Sequence, residues 1–89
     1  MSTVALRLAP LLHSYTRGAS ELQVTGGTLN EMLQDLDRRY PGIRFRLVDE
    51  QDRPRRHVRF FVNDADTRDL EMKLRDGDNV YIVGALSGG

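Results

Sequence analysis

The sequence predicts an α+β domain: a mixed sheet of four to five strands with one main helix packed across one face. Three observations predict it. Several short stretches alternate apolar and polar residues with the period of a half-buried strand. One stretch repeats its apolar residues with the period of a helix. At 89 residues the chain suits a single domain with a modest core.

The first strand is "TVALRL". Val4, Leu6 and Leu8 point one way, and Thr3, Ala5 and Arg7 point the other. "APLLHSYTRGAS" carries Pro10 and Gly18 and reads as a loop. "ELQVT" alternates again, with Leu22 and Val24 inward, so the two strands form a hairpin with a long connection.

"GGTLNEMLQDLDRRYPG" is the helix. Thr28 caps it and Glu31 follows three residues later, the spacing of a capping box. Leu29, Met32, Leu33, Leu36 and Tyr40 fall on one apolar stripe. Arg38 and Arg39 sit in the last turn, where cations complement the helix dipole, and Pro41-Gly42 ends it.

"IRFRLVD" reads either as a short strand or as the landing of the helix, and "EQDRPRR" as a surface loop. "HVRFFVND" is a strand. Val58, Phe60 and Val62 face one side; His57, Arg59, Phe61 and Asn63 face the other. "ADTRDLEMKL" reads as irregular or as one helical turn. "RDGD" is a tight turn in which Gly77 is free to take positive φ. "NVYIVG" is the last strand, with Val80 and Ile82 inward and Tyr81 and Val83 outward.

The order is strand, strand, helix, strand, strand, as in ubiquitin-like β-grasp domains. An α+β sandwich of another topology is the alternative. The expected organisation is a β-grasp domain over residues 1–83 and a flexible tail over 84–89, ending Gly88-Gly89.

Composition removes several functions. The net charge is zero, so the whole chain does not attract nucleic acid. With no cysteine there is no thiolate metal site, disulfide framework or Cys nucleophile, which suits a cytoplasmic protein. No segment approaches the roughly 18 apolar residues of a membrane span, and the N-terminus lacks the pattern of a signal peptide. His13 and His57 have no nearby ligand pair. Asp76 and Asp78 flank Gly77 as ordinary turn residues. "RPRRHVR", residues 53–59, carries four arginines but no stacking aromatics among them, and Asp49, Glu50 and Asp52 precede it. It reads as a solvated loop able to touch an acidic partner or a cofactor phosphate.

"TLNEMLQDLDRRYPGI", "FFVND", "LRDGDNVYIV" and the terminal "GALSGG" together resemble the MoaD/ThiS family of sulfur-carrier proteins. The likeness leans to the branch that serves cysteine synthesis in mycobacteria. It covers roughly residues 28–89, and the first hairpin matches in pattern only. The spacing of Leu74, Asp76, Gly77, Asp78 and Val80, followed by a chain-ending Gly-Gly, is its most specific part. One departure is Gly84, where the family often has proline; it is expected to loosen the tail.

The resemblance implies that the chain is a substrate of other enzymes and not an enzyme itself. An E1-like adenylyltransferase and sulfurtransferase, using ATP and Mg, would adenylate the Gly89 carboxylate. A sulfur donor would then convert it to a thiocarboxylate. The carrier would bind no cofactor of its own. The sulfur would pass to a cysteine-synthase-like enzyme, to thiamin synthesis or to a molybdopterin synthase large subunit. A metal-dependent peptidase is a further expected partner; nucleic acid and membrane are not.

The residues suit this role. Gly88 and Gly89 have no Cβ to collide with a narrow channel. Ala85 and Ser87 are also small. Residues 84–89 reach at most roughly 20 Å when extended. Phe61, Tyr81 and Val83 are the apolar residues that alternation leaves on the outer face, a plausible docking surface bordered by Arg7 and Arg59. Leu86 in the tail is counted with them. The bland alternative for Phe61 and Tyr81 is packing beneath a loop such as 44–56. Two rival functions share these features: a ubiquitin-like modifier forming isopeptide bonds through Gly89, and a β-grasp interaction module whose tail is idle.

Overall fold

The structure, a computed structural model, describes residues 2–84. The strands are β1 (Thr3–Leu8), β2 (Glu21–Thr25), β3 (Val58–Val62), β4 (Ala65–Thr67) and β5 (Asn79–Gly84). The helices are α1 (Leu29–Arg39), α2 (Ile43–Leu47) and a 3-10 helix over Pro10–Thr16. The strands form one sheet in the order β2-β1-β5-β3-β4. β1 and β5 run parallel at its centre, and every other pairing is antiparallel. This is the predicted β-grasp arrangement.

The alternation read from the sequence sets the two faces of the sheet. Val4, Leu6, Leu8, Val24, Val58, Phe60, Val62, Val80 and Ile82 are buried on the inner face. Leu29, Met32, Leu33 and Leu36 of α1 complete that core from the other side, with Ile43 and Leu47 of α2.

α1 starts as the capping box requires. The Thr28 side chain accepts from the Glu31 N–H at 3.1 Å, and the Glu31 carboxylate accepts from the Gly27 N–H at 2.9 Å. Gly26, just before, must lack a side chain. A Cβ there would fall against the Met32 backbone nitrogen and 2.8 Å from the Glu31 carbonyl carbon.

Three segments differ from the expectation. "PLLHSYT" is a 3-10 helix and not an open loop. Pro10 starts it, Leu12 and Thr16 are buried beneath it, and Arg17 and Gly18 end it at φ 55° and 89°. "IRFRL", expected as a short strand or as the landing of the helix, is a separate helical turn. Gly42 enters it at φ 98°, and the Asp37 carboxylate accepts from the N–H groups of Gly42 and Arg44 at 3.0 and 3.1 Å. Its buried residues, Ile43 and Leu47, are four apart, a helical spacing hidden in so short a run.

The third difference bears on the site. β3 ends at Val62, and Asn63-Asp64 form a two-residue turn with φ 50° and 71°. Asn and Asp tolerate positive φ, as this tight hairpin demands. The chain then returns as β4, so "ADT" is an edge strand and Asn63 is a turn residue.

Candidate functional site

Among the sequence-predicted site residues, Phe61, Tyr81, Val83 and Arg59 lie within the described structure. Gly88, Gly89 and Leu86 lie outside the described residues.

The four described residues come together on the outer face of β3 and β5. Phe61 is the register partner of Tyr81, and Arg59 that of Val83. The Phe61 and Tyr81 rings tilt against each other with centroids 6.4 Å apart. Both rings and Val83 are half-buried, and Arg59 is exposed. The buried apolar residues of the helices pack on the opposite, inner face.

Charged groups bracket the aromatic pair. Arg7 of β1 is the register partner of Tyr81, and its Cζ lies 4.7 Å from the ring centroid. On the far side Asp66 of β4 stands opposite Phe61, and Arg59 reaches its carboxylate at 3.5 Å. A row therefore crosses the four strands β1, β5, β3 and β4: cation, aromatic, aromatic, carboxylate. Arg7 lies over Tyr81, not merely at the border. Asp66 was not anticipated, because β4 was not; the Asn-Asp pair at 63–64 was the available signal.

The row is held rigidly at one end of the sheet. The Asp76 carboxylate accepts the Thr3 N–H at 2.7 Å. The Asp78 carboxylate accepts the Arg75 N–H at 2.8 Å and the Asn63 side-chain amide at 3.0 Å. These bonds, the Arg75 one foremost, hold the Asp78 carboxyl below its ordinary range. Asn63 also exchanges hydrogen bonds with Asn79, its N–H donating to the Asn79 carbonyl at 2.8 Å and its Oδ1 accepting the Asn79 N–H at 2.9 Å. The two aspartates act as turn pins and tie β1, the β3–β4 hairpin and the start of β5 together.

At the other end the described part of β5 closes at Gly84. Gly84 is buried and pairs with Val58, so the loosening expected of glycine at this position does not begin there. A Cβ on Gly84 would stand 3.1 Å from Leu12 Cδ2 of the 3-10 helix. The sheet thus offers an apolar, charge-edged surface running along β5 toward residues 85–89.

Among the described residues no group of three or more His, Cys, Asp or Glu could hold a metal ion. No described helix is long and apolar enough to cross a membrane. The geometry offers a surface to bind.

Comparison with known proteins bears on the family and the fold. The ThiS family model matches residues 13–89. The sulfur carrier protein CysO of Mycobacterium tuberculosis is 34% identical over 91 residues, covering 97% of this chain and 98% of that protein. The crystal structure of the Amycolatopsis orientalis BexX/CysO complex contains a chain that superposes with a TM-score of 0.87 at 34% identity, covering 97% of this chain and 99% of that one. The small archaeal modifier protein 1 of Methanosarcina acetivorans has the same fold, with a TM-score of 0.85 at 24% identity over 100% of this chain and 98% of that one.

Proposed function

The chain belongs to the ThiS family, and from that premise we propose that it is a sulfur carrier whose working group is the Gly89 carboxylate. The observation that carries the reading is the extent of the likeness. The family match runs through Gly89, and a sulfur carrier protein is similar over almost the whole length.

The proposed chemistry has two steps, both performed by partners. In the first, a carboxylate oxygen of Gly89 attacks the α-phosphorus of ATP on an E1-like enzyme. Pyrophosphate leaves and an acyl-adenylate forms. In the second, a sulfur nucleophile attacks the carbonyl carbon and AMP leaves with the former carboxylate oxygen. With sulfide as that nucleophile the sulfur stays on the carbonyl carbon, and loss of its proton leaves the thiocarboxylate. The carrier supplies no acid, base or metal to either step; it is a substrate and not an enzyme. Gly88 and Gly89 keep the end slim enough for a nucleotide site.

In this reading the Arg7–Tyr81–Phe61–Asp66 row, with Val83 and Arg59, is the surface that both the activating and the sulfur-accepting enzymes grip. An aromatic pair at the centre with charges at the edges has the composition of an interface anchor and its rim. Leu86 is proposed to add a contact beyond the sheet. A cysteine-synthase-like acceptor is favoured by the similarity to CysO.

The test is the intact mass of the protein after incubation with ATP, magnesium, sulfide and the E1-like enzyme of the same organism. A gain equal to one oxygen replaced by sulfur, located at Gly89, is expected. No gain, with an enzyme proven active on another carrier, overturns the reading. High-mass conjugates that need Gly89 and survive reducing denaturation would put a protein modifier in its place.

A further inference from the structure

Away from the aromatic row, the loop before β3 and the chain just after β4 enclose an open cleft of about 710 Å³. Its walls carry Arg53, Arg55, Arg56 and Arg68, with His57, against one carboxylate, Asp49. The whole chain has no net charge, so this is a strong local excess.

The cleft has structure beneath its charge. Arg55 lies over the Phe45 ring, its Cζ 4.6 Å from the centroid, and its Nε donates to the Phe45 carbonyl at 2.7 Å. Arg68 donates to the carbonyls of Pro54 and Val58 at 2.6 and 3.3 Å. These bonds hold two guanidinium groups in place. Arg53 is offset by Asp49, 3.6 Å away. Arg56 is exposed and has no ion-pair partner among the described residues.

The position is informative. Val58, whose carbonyl Arg68 holds, is the register partner of Gly84. The cleft therefore lies beside the point where β5 hands over to the tail. Any enzyme that takes the tail must bring the rim of its channel close to these arginines.

We propose that this cleft binds an acidic polypeptide segment at the rim of the enzyme that receives the tail. The inference rests on the carrier reading for its partner, but not for its chemistry. A string of Asp or Glu carboxylates matches guanidinium groups spread along an open groove. A phosphate group fits less well. A compact phosphate is held best where backbone N–H groups at a helix N-terminus or a glycine-rich turn converge on it beside the cations. Neither lines this cleft, and Pro54 in its wall has no N–H.

The experiment uses the full chain, labelled with nitrogen-15 and titrated with a hexaglutamate peptide. The expected result is a shift of the backbone amide signals of residues 53, 55–57 and 68 at low salt, falling several-fold at physiological salt. Arg56→Glu, at a position with no structural bond, is expected to weaken the peptide about tenfold without changing the rest of the spectrum. It should also weaken binding to the E1-like enzyme about tenfold at low salt.

Absence of shifts at millimolar peptide overturns the proposal. So does inorganic pyrophosphate moving the same signals at lower concentration, which would make the cleft a phosphate site. Concentration-dependent self-association lost in Arg56→Glu would make a second copy the occupant and also overturn it. Unchanged affinity of Arg56→Glu for both the activating and the accepting enzyme overturns the placement at the rim. The mass assay fails separately: a thiocarboxylate without peptide binding removes only the cleft, and peptide binding without a thiocarboxylate removes only the carrier.

Discussion

Gly84 sits against Leu12: a Cβ built on the glycine would lie 3.1 Å from the leucine Cδ2. The last residue of β5 is thereby clamped between Val58, its strand partner, and the 3-10 helix.

The obstacle at Gly84 is the far end of a flexible side chain. Gly84→Ala is therefore expected to cost less than about 1 kcal/mol, because Leu12 yields and the unfolded chain loses freedom. Gly26→Ala meets backbone of α1, which cannot yield without unseating the helix. It should cost about 2–3 kcal/mol or more. Urea denaturation of the two variants checks the order; equal losses would mean that Leu12 is as rigid as the helix.

Phe61→Asp should leave the fold intact, since Phe61 faces outward and is only half-buried. It should weaken binding to the activating enzyme at least about tenfold, as loss of an aromatic anchor does. Calorimetric titration, with circular dichroism as the folding control, makes the comparison. Unchanged affinity would remove Phe61 from the docking surface.

Asp35 of α1 is buried and accepts the Thr25 N–H at 3.0 Å, with Arg38 and Arg39 at 2.9 and 3.1 Å. Burial by itself would raise its pKa, but the Thr25 bond and the two arginines outweigh it, so the net shift is downward from 3.8. A carboxyl with a lowered folded pKa stabilises the fold above its unfolded pKa. That contribution is lost as pH falls through the folded value. Asp35→Asn should cost about 1 kcal/mol near neutrality. It should also flatten the loss of stability below about pH 4. Thermal melts of both proteins across that range decide it: parallel curves would mean that Asp35 does not contribute.

Deleting Gly89, or changing Gly88 to Val, is expected to abolish activation and leave the melting temperature unchanged. Pyrophosphate release with the E1-like enzyme reads the first, and a thermal melt the second. A lost fold in either variant would contradict a tail that works separately from the domain.

Much of this was legible in the residues themselves. Alternation in β1, β3 and β5 placed Phe61, Tyr81 and Val83 outward, because one buried face forces period-two burial. Thr28 and Glu31 marked the start of α1. What stayed hidden depended on backbone conformation rather than apolar pattern. β4 has only three residues and no apolar alternation, so its one signal was the tolerance of Asn63 and Asp64 for positive φ. The α2 turn depends on the Asp37 carboxylate, which caps it from the preceding helix. Arg7 reaches Tyr81 only because β1 and β5 pair in parallel, a long-range register that alternation alone does not reveal.

That parallel pairing also orders events during synthesis. β5 fills the middle of the sheet, between β1 and β3, although it is made after the other four described strands. Until it leaves the ribosome, the first hairpin and the β3–β4 hairpin have no common partner, and the core between them stays open. Folding must wait for these long-range contacts and is expected to be slower than in a domain built from local ones. A polypeptide cut short before β5 would lack the strand that joins the two hairpins. Without a closed core, it would be open to proteases along its length.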